Sequence, residues 1–160
     1  MELHITISIL AVTLLFVFFQ DLKNRSIHIA LPILIFALGL VMNYLSLDLS
    51  FKDILYNILF IAMNIVGLIL YFSIKNKGYV NPIDKSLGMG DIAFFIAIVP
   101  LFNFRSFILF FIFGLVFSLM AHGIYSLFEK NVTIPLAGYL SLFLMLVLGA
   151  KHILKIDLAL

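Results

Sequence analysis

Only eight acidic side chains occur in this chain, and two of them, Asp21 and Asp91, adjoin long apolar runs. Asp21 closes Leu14-Leu15-Phe16-Val17-Phe18-Phe19-Gln20, and Asp91 opens Ile92-Ala93-Phe94-Phe95-Ile96. An ionisable group at the edge of so much apolar surface is costly to place, which marks it as a functional candidate. Two such acids brought together cannot both ionise readily and tend to share a proton. The ionised member then takes a proton from water, while the protonated member polarises a carbonyl and later protonates a leaving amine. Hydrolysis of an amide is therefore one chemistry open to the pair. Relay of protons or cations across a membrane is the other.

The remaining titratable residues offer less. Glu2, Asp48, Asp53 and Asp157 fall in terminal or external segments, and Asp84 and Glu129 in loops, where solvated charge is the ordinary outcome. His4, His28, His122 and His152 have no metal-ligand spacing, and the chain has no cysteine. A zinc ribbon, a thiol nucleophile and a disulfide framework are thereby excluded, and neither a metal nor an organic cofactor is expected. Serine and threonine are scattered without a G-x-S-x-G or Ser-His pairing, so serine hydrolysis has no support. His122 has Ser118 and Ser126 four residues to either side. That spacing predicts a helix-packing hydrogen bond, with a proton relay as the alternative.

The elements that must position the two acids follow from composition. The 160 residues are 64% hydrophobic and 11% charged, with mean hydropathy +1.24. A soluble domain averages about 45–50% apolar and about 25% charged residues. No fold of this size buries that much apolar surface and keeps a wettable exterior. A soluble enzyme, a disordered chain and a free nucleic-acid binder are excluded, and net charge +2 is too small to imply a polyanionic partner. The solvent is membrane lipid. Eighteen Phe and no Trp leave six Tyr to serve as the interfacial aromatics.

Six apolar stretches run roughly over 3–20, 29–47, 54–74, 88–104, 107–128 and 132–150. A bilayer core of about 30 Å needs about 20 helical residues, and most of these stretches qualify. The fourth reaches workable length only if its helix starts near Gly88, drawing Asp91 to the membrane surface. The first lacks a basic n-region and a small-residue cleavage site, so it reads as a retained span. There is no internal repeat, and residues 1–160 read as one all-α polytopic membrane domain of about six helices. Loops 21–28, 75–87 and 129–131 hold six cations (Lys23, Arg25, Lys75, Lys77, Lys85, Lys130), against four elsewhere (Lys52, Arg105, Lys151, Lys155). Lys/Arg bias places those loops in the cytoplasm and both termini outside. With six alternating spans, the end of the first helix and the start of the fourth fall on the same face. Gly88 and Gly90, lacking Cβ atoms, let the backbone and a substrate strand approach Asp91 closely. Helix-end dipoles favour Asp91 as the resting carboxylate and Asp21 as the protonated partner.

Local sequence extends this reading. Asp21-Leu22-Lys23-Asn24-Arg25-Ser26-Ile27 and Gly88-Met89-Gly90-Asp91 resemble two motifs of the aspartic prepilin peptidases, D-x-x-x-R-x-I and G-x-G-D. Ile134-Pro135-Leu136-Ala137-Gly138-Tyr139-Leu140 looks like that family's I-P-F-x-P-F-L stretch at the start of its final helix. The resemblance covers essentially the whole chain in order. It implies a membrane aspartic endopeptidase that uses Asp21, Asp91 and an activated water. Gly88, Gly90, Arg25 and Pro135 support the site, and the Pro135 segment packs near the acids. The implied substrates are prepilin-like precursors of type IV pilus and secretion systems, which lose a short basic leader at the cytoplasmic face of a prokaryotic membrane. Three positions depart from the family pattern: Ala93 stands where Lys is common, His28 where Pro is common, and Gly138 where a second Pro is common. They leave both acids in place and bear on substrate class. Without cysteine or an added N-terminal domain, the chain looks like the short, peptidase-only form.

Two readings from other classes stay open, a small proton- or cation-coupled transporter using the same acids and a non-catalytic assembly partner derived from a peptidase. A carrier would place its acids near the membrane midplane beside broken helices. A signal-peptide-peptidase-like protease shares G-x-G-D, but six spans and no Tyr before Asp21 count against it.

Overall fold

The apolar runs fold as helices because lipid offers no partner for backbone N–H and C=O groups, so each segment satisfies its own. The computed structural model describes residues 2–46, 50–78, 88–126 and 134–154. Among them are α1 (Glu2–Asn24), α2 (Ala30–Ser46), α3 (Phe51–Lys75), α4 (Met89–Ile98), α5 (Phe104–Tyr125) and α6 (Leu136–Leu154). A single 3-10 turn, Val99–Leu101, follows α4, and no strand occurs among the described residues. The expected all-α architecture of six helices is what is found. Lys85, Asp84, Glu129, Lys130, Lys155, Asp157 and Asp48 lie outside the described residues, so part of the charge pattern used for orientation has no structural counterpart.

Helices α1, α3 and α5 are long and apolar enough to cross a membrane, whereas α2, α4 with its turn, and α6 are shorter apolar helices. They fit an integral membrane protein. Helix α1 packs most extensively on α6 and also on α2, α5 packs on α6, and α2 covers α4 and the 3-10 turn. Their shared core holds Leu10, Leu14 and Val17 of α1, Phe94 and Ile98 of α4, Phe107 of α5, and Leu140 and Leu144 of α6. Helix α3 is peripheral, with only Asn57 and Ile61 buried.

Helix α4 is the short span anticipated from its sequence. Its ten residues make about 15 Å of α-helix, and the 3-10 turn adds about 6 Å. This falls short of a bilayer core of about 30 Å. Protein covers most of it: Phe94, Phe95 and every residue from Ala97 through Phe102 are buried, while Ile96 stays exposed. The open carbonyls at its end are met by Asn57 of α3, whose amide donates to Val99 O at 3.3 Å and Phe102 O at 2.8 Å. Nearby, Asp53 accepts from Phe104 N at 3.2 Å and fixes the start of α5 beside the start of α3. These contacts define one end of the bundle. The opposite end gathers the end of α1 and the starts of α4 and α6.

Candidate active site

Asp21 occupies the last turn of α1 and is 6% exposed. Asp91 sits in the first turn of α4, half-buried. Both are held by the start of α6. Pro135 accepts the first intrahelical bond of α6, from Tyr139 N at 3.1 Å, so it stands at the cap position. A helix usually satisfies its first free amides with a cap side-chain oxygen, and proline has none. Those amides go elsewhere: Ala137 N donates to Asp91 Oδ1 at 2.9 Å, and Gly138 N donates to Asp21 Oδ2 at 2.7 Å. Consecutive amides of one helix start thus gather two carboxylates that lie 70 positions apart in sequence (91 − 21). Hydrogen bonds to a charged acceptor are among the stronger ones, and the positive end of a helix is a favourable place for anions.

The supporting residues are distributed around this clamp. A Cβ on Gly138 would lie 3.2 Å from Asp21 Oδ2, and one on Gly88 would lie 3.2 Å from Asp91 Oδ2. Bare backbone is what allows each approach. Gly90 has a different surrounding, since its Cβ would meet Ile27 at 3.5 Å, an ordinary contact. It seats the start of α4 against the segment that follows α1. Arg25 adopts a left-handed conformation with φ 53° and donates its backbone N–H to Asp21 O at 3.0 Å, closing the last turn of α1. Its guanidinium lies within electrostatic reach of Asp21 and Tyr139. Asp21 and Asp91 are likewise close enough to feel each other's charge.

Two departures noted from the sequence acquire a physical meaning. His28 N donates to Gln20 Oε1 at 2.9 Å, a bond that a proline at 28 could not make. Gly138 donates to Asp21, and a proline at 138 would remove that donor as well. Asp21 lies at the end of α1 and Asp91 at the start of α4, as the expected inequality requires, and the start of α6 adds one amide donor to each. His122 also differs from expectation: Ser118 and Ser126 turn to Gly114 O and Gly123 O, both at 2.8 Å, and His122 Nδ1 is buried without a partner. The amides of Ala137 and Gly138 were not anticipated as site groups. The available signal was a helix start, Ile134-Pro135-Leu136, with no side chain able to cap it.

The sequence model of the type IV leader peptidase family matches residues 8–125. The chain belongs to that family. The matched region contains both Asp21 and Asp91 and ends with α5, so the α6 amides that hold the acids lie beyond it. No curated protein and no solved structure showed a significant match. Among the described residues of this family member, no group of three His, Asp or Glu could hold a metal ion.

Proposed function

We propose that the chain is a membrane aspartic endopeptidase in which Asp21 and Asp91 form the catalytic pair. The observation that carries this reading is the capture of both carboxylates by the adjacent amides of Ala137 and Gly138. Such a clamp fixes the two acids at neighbouring positions of one helix start. One carboxylate, ionised, takes a proton from a water as the water oxygen attacks the scissile carbonyl carbon. The other, protonated, donates to the carbonyl oxygen as it becomes tetrahedral. Collapse breaks the C–N bond, and the amine leaves with a proton returned by the pair. Fixing the reactants in this geometry accounts for much of the rate.

Family membership supports prepilin-like precursors as substrates, cut between a short basic leader and the hydrophobic segment behind it. The Lys/Arg pattern supports a cytoplasmic site with both termini outside, in the membrane of a prokaryotic cell. A carrier reading fits less well, since both acids lie at helix ends and not at the middle of interrupted helices. The test is incubation of the purified protein, in detergent or liposomes, with a panel of prepilin-like precursors, followed by mass spectrometry of the products. A single cut ahead of the hydrophobic segment is expected. Intact precursors across the panel, from folded protein, would leave the non-catalytic assembly role instead.

A further inference from the structure

Close to the dyad, between α5 and α6, two polar side-chain atoms are buried without a partner among the described residues. Tyr139 is 6% exposed and its hydroxyl meets no hydrogen-bonding group, and neither does the buried Nδ1 of His122. The two rings are neighbours, with centroids 6.5 Å apart and planes tilted by 56°. Nearby hydroxyls are already engaged, Ser118 with Gly114 O, Ser126 with Gly123 O and Ser141 with Gly138 O. Buried polar atoms are almost always paired with protein or with ordered water, and two unpaired atoms carried on neighbouring rings are what a shared water satisfies.

Position gives this pair a use. Tyr139 follows Gly138, whose amide holds Asp21, and Asp21 and Arg25 both lie within electrostatic reach of the phenol. His122 belongs to the last turn of α5, at the same end of the bundle as the acids. Each peptide bond hydrolysed consumes one water, and the helices around the dyad are apolar. That water has to be delivered to Asp21, the more deeply buried of the two acids.

We propose that His122 and Tyr139 form a binding site for a single ordered water that supplies the Asp21–Asp91 pair. The hydroxyl of Tyr139 and Nδ1 of His122 are its two anchors, and both residues act on the reaction through that water. The proposal rests on the hydrolytic reading of the dyad.

The test joins kinetics with a measurement that needs no catalysis. Tyr139→Phe and His122→Leu should each lower kcat by about tenfold with KM unchanged, the scale of a displaced reactant. The double variant should lose no more than either single one, because both remove the same water. His122→Asn, which keeps a polar atom near Nδ1, should recover most of what Leu loses. Independently, nitrogen NMR of histidine-labelled protein should show His122 Nδ1 hydrogen-bonded, and that signal should move in Tyr139→Phe. The resonance is assigned by its disappearance in His122→Asn. Unchanged kcat in both single variants, losses that multiply in the double variant, or an Nδ1 signal indifferent to Tyr139→Phe would each overturn the water site. Were the wild-type protein inactive on every precursor, the hydrolytic reading would fall, and the NMR result alone would decide whether the water is there.

Discussion

A methyl group at position 138 would stand 3.2 Å from Asp21 Oδ2 and 3.3 Å from Asp21 Cβ, so the carboxylate would have to give way by a few tenths of an ångström. Alanine is otherwise the better helix residue, by up to about 1 kcal/mol in a helix interior. Gly138→Ala should therefore leave thermal stability equal or higher while lowering kcat by about tenfold, since small misplacements of a reacting group are expensive in rate. Paired melting and cleavage measurements check this; parallel losses in both would mean that Gly138 serves packing alone. The same residue shows where sequence reading reaches its end. Asp21 and Asp91 were legible because acids are scarce in the chain and these two border apolar runs. The donors that hold them are main-chain amides, which every residue but proline carries, so nothing in the side-chain pattern marks them. Gly138 read as a departure from a motif, and only geometry turns it into a donor.

At the level of the helix, the start of α6 works because it lacks a cap side chain. Pro135→Ser would add a hydroxyl placed to accept from the amides of residues 137 and 138, in the usual N-cap manner. That oxygen competes with the two aspartates. Cleavage should fall by about tenfold in Pro135→Ser and stay near wild type in Pro135→Ala, which removes the ring without adding an acceptor. Equal activities in the two variants would show that the amides do not position the acids. The helix itself was legible from its apolar run, but its start lies at Leu136 rather than near residue 132. Ile134 and Pro135 are apolar too, and apolarity alone does not mark where helical hydrogen bonding begins. The shortness of α4 was legible. Its remedy was not, because Asn57 is an isolated polar residue in α3 whose partners lie more than forty positions away.

For the whole molecule, alternation of the helices places Asn24, the last residue of α1, opposite Ser50 at the start of α3. The chain has no native cysteine, so single cysteines report sidedness without background. Cysteine at Asn24 should be labelled only from the cytoplasmic side and cysteine at Ser50 only from outside. Ser86 and Asn131 are useful further positions that fall outside the described residues, and both should label with Asn24. Labelling of Asn24 and Ser86 from opposite sides would separate the two acids across the bilayer and end the paired site. Six hydrophobic runs and their loops were readable because lipid imposes length and apolarity on each span. Which helices lie in the centre was not read from the sequence, since α3 and α4 both showed only as apolar runs, yet one is peripheral and the other largely enclosed.

The central claim is that two acids share one reaction, and the most direct measurement is cleavage by Asp21→Asn and Asp91→Asn, each assayed alone in protein shown to be inserted and folded. Asparagine keeps the shape of each side chain and an oxygen for the α6 amide, but it cannot exchange a proton at neutral pH. Neither remaining acid can perform both proton transfers, so each single variant should lose at least about a thousandfold in kcat. Folding should survive, because removing a charge from the membrane edge lowers the cost of insertion. Loss of cleavage in both variants is the predicted result. Cleavage near the wild-type rate in either folded variant would contradict the dyad.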